Sequence, residues 1–342
     1  MEAMGVSKLK KTSSWPKVIA VCTILIVLIC AMSLVSIAIG SAGYSIPKII
    51  NAMLSDENST IKIIVMNLRL PRVILALIVG ASLAVAGALL QSVMGNPLAD
   101  PGSIGVSAGA STAAITILLV FPHLTASVPI FAFFGAGLAC ILIFVMAYDN
   151  GISAIRIILS GVAVNSVLGA YNSFLQMLNS DDLQNVLGFL NGSLSGRSWN
   201  QVYIALAYGS IGLFLGFCCI KTANLLLLGE EMARSLGANV TRSRILLSAI
   251  SAFLAAATVT VVGMVGFVGL IVPHISRLII GSDYKVLLPV CTLLGGLVLL
   301  VADTVGRVLI QGMEIPVGIV MAMVGGPFFL YMLKKKGKVY GG

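Results

Sequence analysis

Ten apolar runs, most of them long enough to cross a bilayer, leave this chain few ways to fold. They lie at about 18–40, 73–93, 104–120, 128–147, 155–178, 201–220, 245–265, 268–280, 286–301 and 315–333, with polar or Gly/Pro breaks between them. A bilayer-spanning helix needs about 20 predominantly apolar residues. The expected fold is therefore all-α: a polytopic integral membrane bundle of about ten transmembrane helices, one domain over residues 1–342. The run at 268–280 is short and carries Pro273. Proline removes a backbone donor and crowds the preceding turn, so this eighth span is expected to be short or broken. The first run is too long for a signal-peptide core of about 7–15 residues and is kept as a span.

Composition closes the alternatives. Apolar residues make up 58% of the chain, charged residues 10%, and the mean hydropathy is +1.07. Soluble domains stand near about 45–50% apolar and about 25% charged, so a soluble enzyme, a disordered chain and a fibrous repeat are all excluded. The 36 glycines suit a bundle in which small residues let helix backbones approach. Small-xxx-small spacings recur at Ala84/Ala88, at Gly105/Gly109 and through Gly263, Gly266 and Gly269. The six cysteines all fall inside apolar runs without metal-ligand spacing and read as small apolar fillers.

The net charge of +9 is a topology signal. If the amino terminus is cytoplasmic, ten spans put Lys48, Lys62, Arg69, Arg72, Arg197 and Arg307 outside. The other fifteen basic residues, including both Lys-rich tails, fall inside. Cytoplasmic segments carry the excess of Lys and Arg. Both termini are thus expected in the cytoplasm, with tails at 1–17 and 334–342 and a long cytoplasmic loop at 221–244. No nucleic-acid partner is expected.

Catalytic and metal chemistry are thinly represented. Mid-membrane ionisable groups mark ion and proton pathways, and almost every acidic residue here falls in a loop. Asp303 stands one helical turn before Arg307 near the outer end of the ninth span, a spacing that allows pairing; a local ion pair and a functional one both fit. Asp181-Asp182 is an adjacent loop pair, and His123 and His274 have no carboxylate constellation. No G-x-x-x-x-G-K-[ST] motif occurs, so the chain has no P-loop for ATP. No catalytic or metal residue is assigned, and the chain is not expected to be an enzyme.

Two polar segments carry more information. Residues 229–237 read as a two-turn helix, with Glu230 and Glu231 in the first turn, where the helix dipole favours them. Gly237 is its stop, and Met232 and Leu236 share a face at i,i+4. This helix either docks into a partner's groove or lies on lipid. The second segment, Arg69-Leu70-Pro71-Arg72, sets two guanidinium groups around a proline on the side where basic residues are scarce. They either snorkel to headgroups or meet an acidic partner through exposed ion pairs, each worth about 0.2–1 kcal/mol.

These stretches carry a family resemblance. Leu68-Arg69-Leu70-Pro71-Arg72, residues 80–87, Gln91 with Asn96-Pro97-Leu98-Ala99-Asp100-Pro101, and residues 105–110 are followed in order by residues 192–199, 230–244, 266–274 with Arg277, and 314–318. Together they resemble the permease subunits of the iron–siderophore, haem and cobalamin ABC importers, the FecCD-type family. The resemblance implies ten spans per subunit and a dimer of two permeases, identical or paralogous. It also implies two ATP-binding subunits on the loop between spans 6 and 7, and an extracytoplasmic substrate-binding protein. The matching positions assign Arg69, Arg72 and Arg307 to docking of the binding protein. They assign Glu230, Glu231, Met232, Leu236 and Gly237 to ATPase coupling, and Asn96, Pro97 and Leu98 to a cytoplasmic gate. The chain itself would hold no cofactor, since ATP and magnesium belong to the partner ATPase, and it would sit in a bacterial inner or plasma membrane. Residues 192–199 resemble siderophore permeases more than cobalamin ones. An iron–siderophore is therefore the expected cargo, with haem or cobalamin as the alternative. An ion-coupled secondary transporter is the reading from another class.

Overall fold

The computed structural model describes residues 15–39, 60–149, 151–179, 183–310 and 312–340. Asp181 and Asp182, and most of the 1–17 tail, lie outside them. The described residues are mostly helical and contain no strand, only isolated bridges at Tyr148–Ile152 and Ile310–Met313. The helices are α1 (Trp15–Ala38), α2 (Thr60–Met94), α3 (Val106–Val120), α4 (Val128–Ala147), α5 (Ala154–Leu178), α6 (Leu183–Leu190), α7 (Trp199–Cys218), α8 (Ile220–Leu227), α9 (Glu230–Ser235), α10 (Val240–Val262), α11 (Val268–Ile280), α12 (Tyr284–Val308) and α13 (Val317–Tyr340). Each of the ten apolar runs falls on one of them. Seven helical segments are long and apolar enough to cross a membrane: α1, α2, Pro122–Ala147, α5, α7, α10 and α12. The apolar parts of α3, α11 and α13 are shorter.

α2 is the axis of the molecule. It is apolar on every side, and such a helix is stable only where it is surrounded; from Val79 to Met94 every residue is buried. α12, α10, α7 and α11 pack around it. Two glycines set the closest approaches. A Cβ at Gly80 would run into the carbonyl of Gly295 on α12, and one at Gly87 into the backbone of Gly269 on α11. A second layer joins α3, α4 and α5, with Gly109 and Gly135 facing each other across α3 and α4. α1 lies outside, its Val18 and Leu25 packed on Ile280, Val286 and Val290. α4, α5 and α7 turn rows of large apolar side chains outward, among them Phe134, Leu159, Val167 and Phe214.

Several helix ends differ from the sequence expectation, each for a physical reason. α11 is not broken at Pro273. That proline cannot donate to the carbonyl of Gly269, four residues back; the Gln91 side-chain amide donates to it instead, at 3.0 Å. α2 begins well before residue 73 and runs through a π turn at Val65–Arg69. In that register the donor missing at Pro71 would have served the Met66 carbonyl, and the indole N–H of Trp199 serves it at 2.9 Å. α12 runs to Val308, past Asp303 and Arg307, because their charges are paired within the bundle. The loop expected at 221–244 is α8, α9 and the first turn of α10, whose Asn239 accepts from the Arg242 amide. The tail from 334 continues α13 as helix to Tyr340.

Candidate functional site

Polar side chains gather at the two ends of the bundle. At one end, the start of α2 meets the ends of α1 and α12. Arg72 donates through Nε and Nη2 to both carboxylate oxygens of Asp303 at 2.9–3.1 Å, and through Nη1 to Glu314 at 2.9 Å. Arg307 pairs with Asp303 at 3.3 Å and donates to the carbonyls of Ser36 and Ile39 at 3.1 and 3.2 Å. Arg69 donates to the carbonyls of Ile37 and Ala38. The last carbonyls of a helix have no partners within it and carry its negative end. Arg69 and Arg307 supply both the donors and the charge that α1 needs there.

This geometry revises the picture of three free arginines on an external surface. Arg69 is 7% exposed, and the Arg72 and Arg307 side chains are 12% and 5% exposed. All three are committed within the chain, and Glu314 is the half-exposed charge of the cluster. Burial works to raise the Glu314 pKa, but hydrogen bonds from Ser195 and Arg72 and the arginine charges outweigh it, leaving the carboxyl below its usual value.

The other end holds residues 229–237. α9 is six residues long, shorter than the two turns expected. Ala233 is fully buried, and Glu230 pairs with Arg234 at 2.6 Å and Arg244 at 3.1 Å. Arg244 also donates to the carbonyl of Ile152 at 2.6 Å, tying the segment to the turn before α5. Gly237 takes a positive φ of 81° and donates to Arg234 O, and Ala238 donates to Ala233 O, a glycine stop of the expected kind. With its inner side so anchored, α9 and its C-cap residue present Met232 and Leu236, 55% and 59% exposed.

The turn after α2 lies at this same end. Gly95 closes α2, Leu98 N donates to the Asn96 side chain at 3.0 Å, and Ala99 N to Asn96 O at 3.1 Å. Asp100 accepts from Gly102 N at 3.0 Å. Burial raises the Asp100 pKa, and this hydrogen bond opposes the shift only in part.

Sequence reasoning missed a buried polar cluster between this turn and α8. Gln91 donates to Gly269 O and Ala99 O and accepts from Arg277. Arg277 also reaches the Tyr284 hydroxyl at 3.3 Å, which donates to Ala88 O. Asn224 of α8 donates to Asp283 at 2.8 Å and accepts from Tyr284 N at 2.9 Å. The available signal was Gln91 and Arg277 standing inside apolar runs. His274 packs edge-on against Phe328 at 5.9 Å, a helix-interface contact. Among the described residues no three His, Cys, Asp or Glu side chains are grouped to hold a metal.

An all-helical bundle with several helices long and apolar enough to cross a membrane, a central buried axis and its charged clusters at its ends has the build of a multi-pass membrane protein. The chain belongs to the FecCD transport family, which it matches over residues 24–335. It is 40% identical to the Fe(3+)-citrate import system permease protein YfmE of Bacillus subtilis over 313 residues, 91% of this chain and 93% of that protein. It is 42% identical to the cobalamin import system permease protein BtuC of Halobacterium salinarum over 278 residues, 81% of this chain and 75% of that protein. Among solved structures, a metal-chelate type ABC transporter in an inward-facing conformation superposes with a TM-score of 0.83. It is 28% identical, covering 92% of this chain and 99% of that one.

Proposed function

We propose that this chain is the permease subunit of an ATP-driven importer for a metal chelate, with an iron chelate as cargo. In this reading ten helices cross the membrane and both termini face the cytoplasm. Two permease subunits, identical or paralogous, enclose the pathway. Two ATP-binding subunits seat on α9, and a substrate-binding protein delivers cargo from outside. The observation that carries the reading is the form of α9. A helix of six residues has little stability of its own; this one is fastened through Ala233 and Glu230 and offers Met232 and Leu236 outward. Two apolar anchors on a braced helix suit a protein partner's groove. The Asn96-Pro97-Leu98 turn would serve as the gate, linked to α8 through the Gln91–Arg277–Tyr284 cluster.

Docking of the binding protein would centre on the arginine cluster at the opposite end, with a partner carboxylate replacing Glu314 on Arg72. The Arg72–Glu314 pair is the exposed one of the set, so it is the pair that can exchange.

The test is uptake into proteoliposomes holding the chain with its ATPase and binding proteins. Accumulation of a ferric chelate should require ATP and persist when ion gradients are collapsed. Uptake driven by a proton or sodium gradient without ATP would identify an ion-coupled carrier instead.

A further inference from the structure

A cavity of about 590 Å³ opens at the end of the bundle that carries the arginine cluster, lined in part by Thr125, Ser193, Ser195, Arg197, Gln201 and Thr260. Its hydrogen-bonding groups are unevenly committed. Thr125 and Thr260 donate their hydroxyls to the carbonyls of Pro122 and Ala256. Ser195 is engaged with Glu314, whose carboxylate is turned to Arg72. Gln201 accepts from the Ser198 amide through Oε1 at 3.0 Å, which leaves its NH2 group unused. Ser193 accepts from Ser195 N at 3.1 Å, which leaves its proton unused. Arg197 has one long bond, Nε to Ser193 O at 3.4 Å. No carboxylate among the described residues lies within ion-pair distance of it. Burial lowers its pKa. The groups without partners are therefore all donors, and one of them is a partly buried cation.

We infer that this cavity is a binding site for a carboxylate-bearing anion, held by the Arg197 guanidinium with Ser193 and Gln201 as flanking donors, and that its occupant is the transported chelate itself. A guanidinium fork donates two parallel hydrogen bonds to a carboxylate, and an opposite charge nearby favours the charged form of a partly buried cation. The donors line a concavity with room for a small polyanion. Arg69, Arg72 and Arg307, by contrast, are already engaged within the chain. Assigning the occupant as cargo rests on the importer reading; the anion site does not.

The chain in lipid nanodiscs, without its partners, is titrated with radiolabelled ferric citrate as a carboxylate-rich probe. Wild type should bind it, and metal-free citrate should compete where its neutral triethyl ester does not. Arg197→Gln should weaken binding about tenfold or more. Arg197→Lys, which keeps the charge and loses the fork, should fall between. Lys221→Gln, at the far end of the bundle, should bind as wild type does. Equal competition by the ester, or unchanged binding in a monodisperse Arg197→Gln, would overturn the site, even if ATP-driven uptake proved the importer reading right. If Arg197→Gln lost ferric citrate binding and binding-protein affinity but kept ATP-driven uptake at saturating binding protein, the cargo assignment would be overturned, because the occupant would then be an acidic side chain of that protein. Failure of wild type to take up any ferric chelate with all partners present would sink the importer reading and leave the anion site to stand on the competition result.

Discussion

Asp303 shows how much a single side chain can hold. It is buried at the end of α12 and is the shared counter-ion of Arg72 and Arg307, which in turn engage Glu314 and the end of α1. Removing one partner of a buried pair costs about 3–5 kcal/mol, because the other charge is left stranded. Asp303→Asn, and equally Arg72→Ala, should therefore lower the thermal stability of the purified protein well beyond the effect of an exposed ion pair. A melting curve in detergent checks this. Glu314 adds a pH dependence whose sign follows from its lowered pKa. Its contribution is full above the unfolded carboxylate pKa of about 4.3 and is lost as pH falls through the lower folded value. The melting temperature should drop on acidification below about pH 4, and Glu314→Gln should flatten that part of the profile. The i,i+4 spacing of Asp303 and Arg307 was legible in the sequence. The partner that decides their role, Arg72, is 231 residues from Asp303, and no local pattern points across that distance.

At the scale of elements, each apolar run announced its helix because in lipid length and hydrophobicity nearly suffice. Helix ends were less legible. The second run read as starting at about residue 73 and Pro273 as a break, yet Pro71 and Pro273 both sit within continuous helices because Trp199 and Gln91 donate near the gaps they leave. Gln91→Leu should then strand the Gly269 carbonyl at a cost of about 1–3 kcal/mol, and lose its bond with Arg277 as well. Pro273→Ala alone should change little. In the Gln91→Leu background it should recover part of the stability by restoring a backbone donor to Gly269. A double-mutant cycle on thermal unfolding measures the coupling; strictly additive effects would show that Gln91 does not substitute for the missing donor.

For the molecule as a whole, the sequence showed two polar ends and an apolar middle, and the structure gives each end a distinct construction. At one end Arg72, Asp303, Arg307 and Glu314 are paired, α1 is capped, and Arg69, Arg72 and Arg307 are enclosed. The other is poised, with α9 held by its back and joined through α8 and the Gln91–Arg277–Tyr284 cluster to the turn at 96–98. The sequence placed Met232 and Leu236 on one face because i,i+4 spacing is a local property. It could not show that Ala233 and Arg244 brace that face outward. If this end receives an ATPase, its two apolar anchors should act as interface hot spots, where truncation commonly costs about 2 kcal/mol or more. The most direct measurement is recovery of the ATPase subunit with the permease on co-purification. Met232→Ala combined with Leu236→Ala should sharply reduce that recovery while the permease still inserts in normal amount. Wild-type recovery of the ATPase with the double variant would contradict coupling through α9.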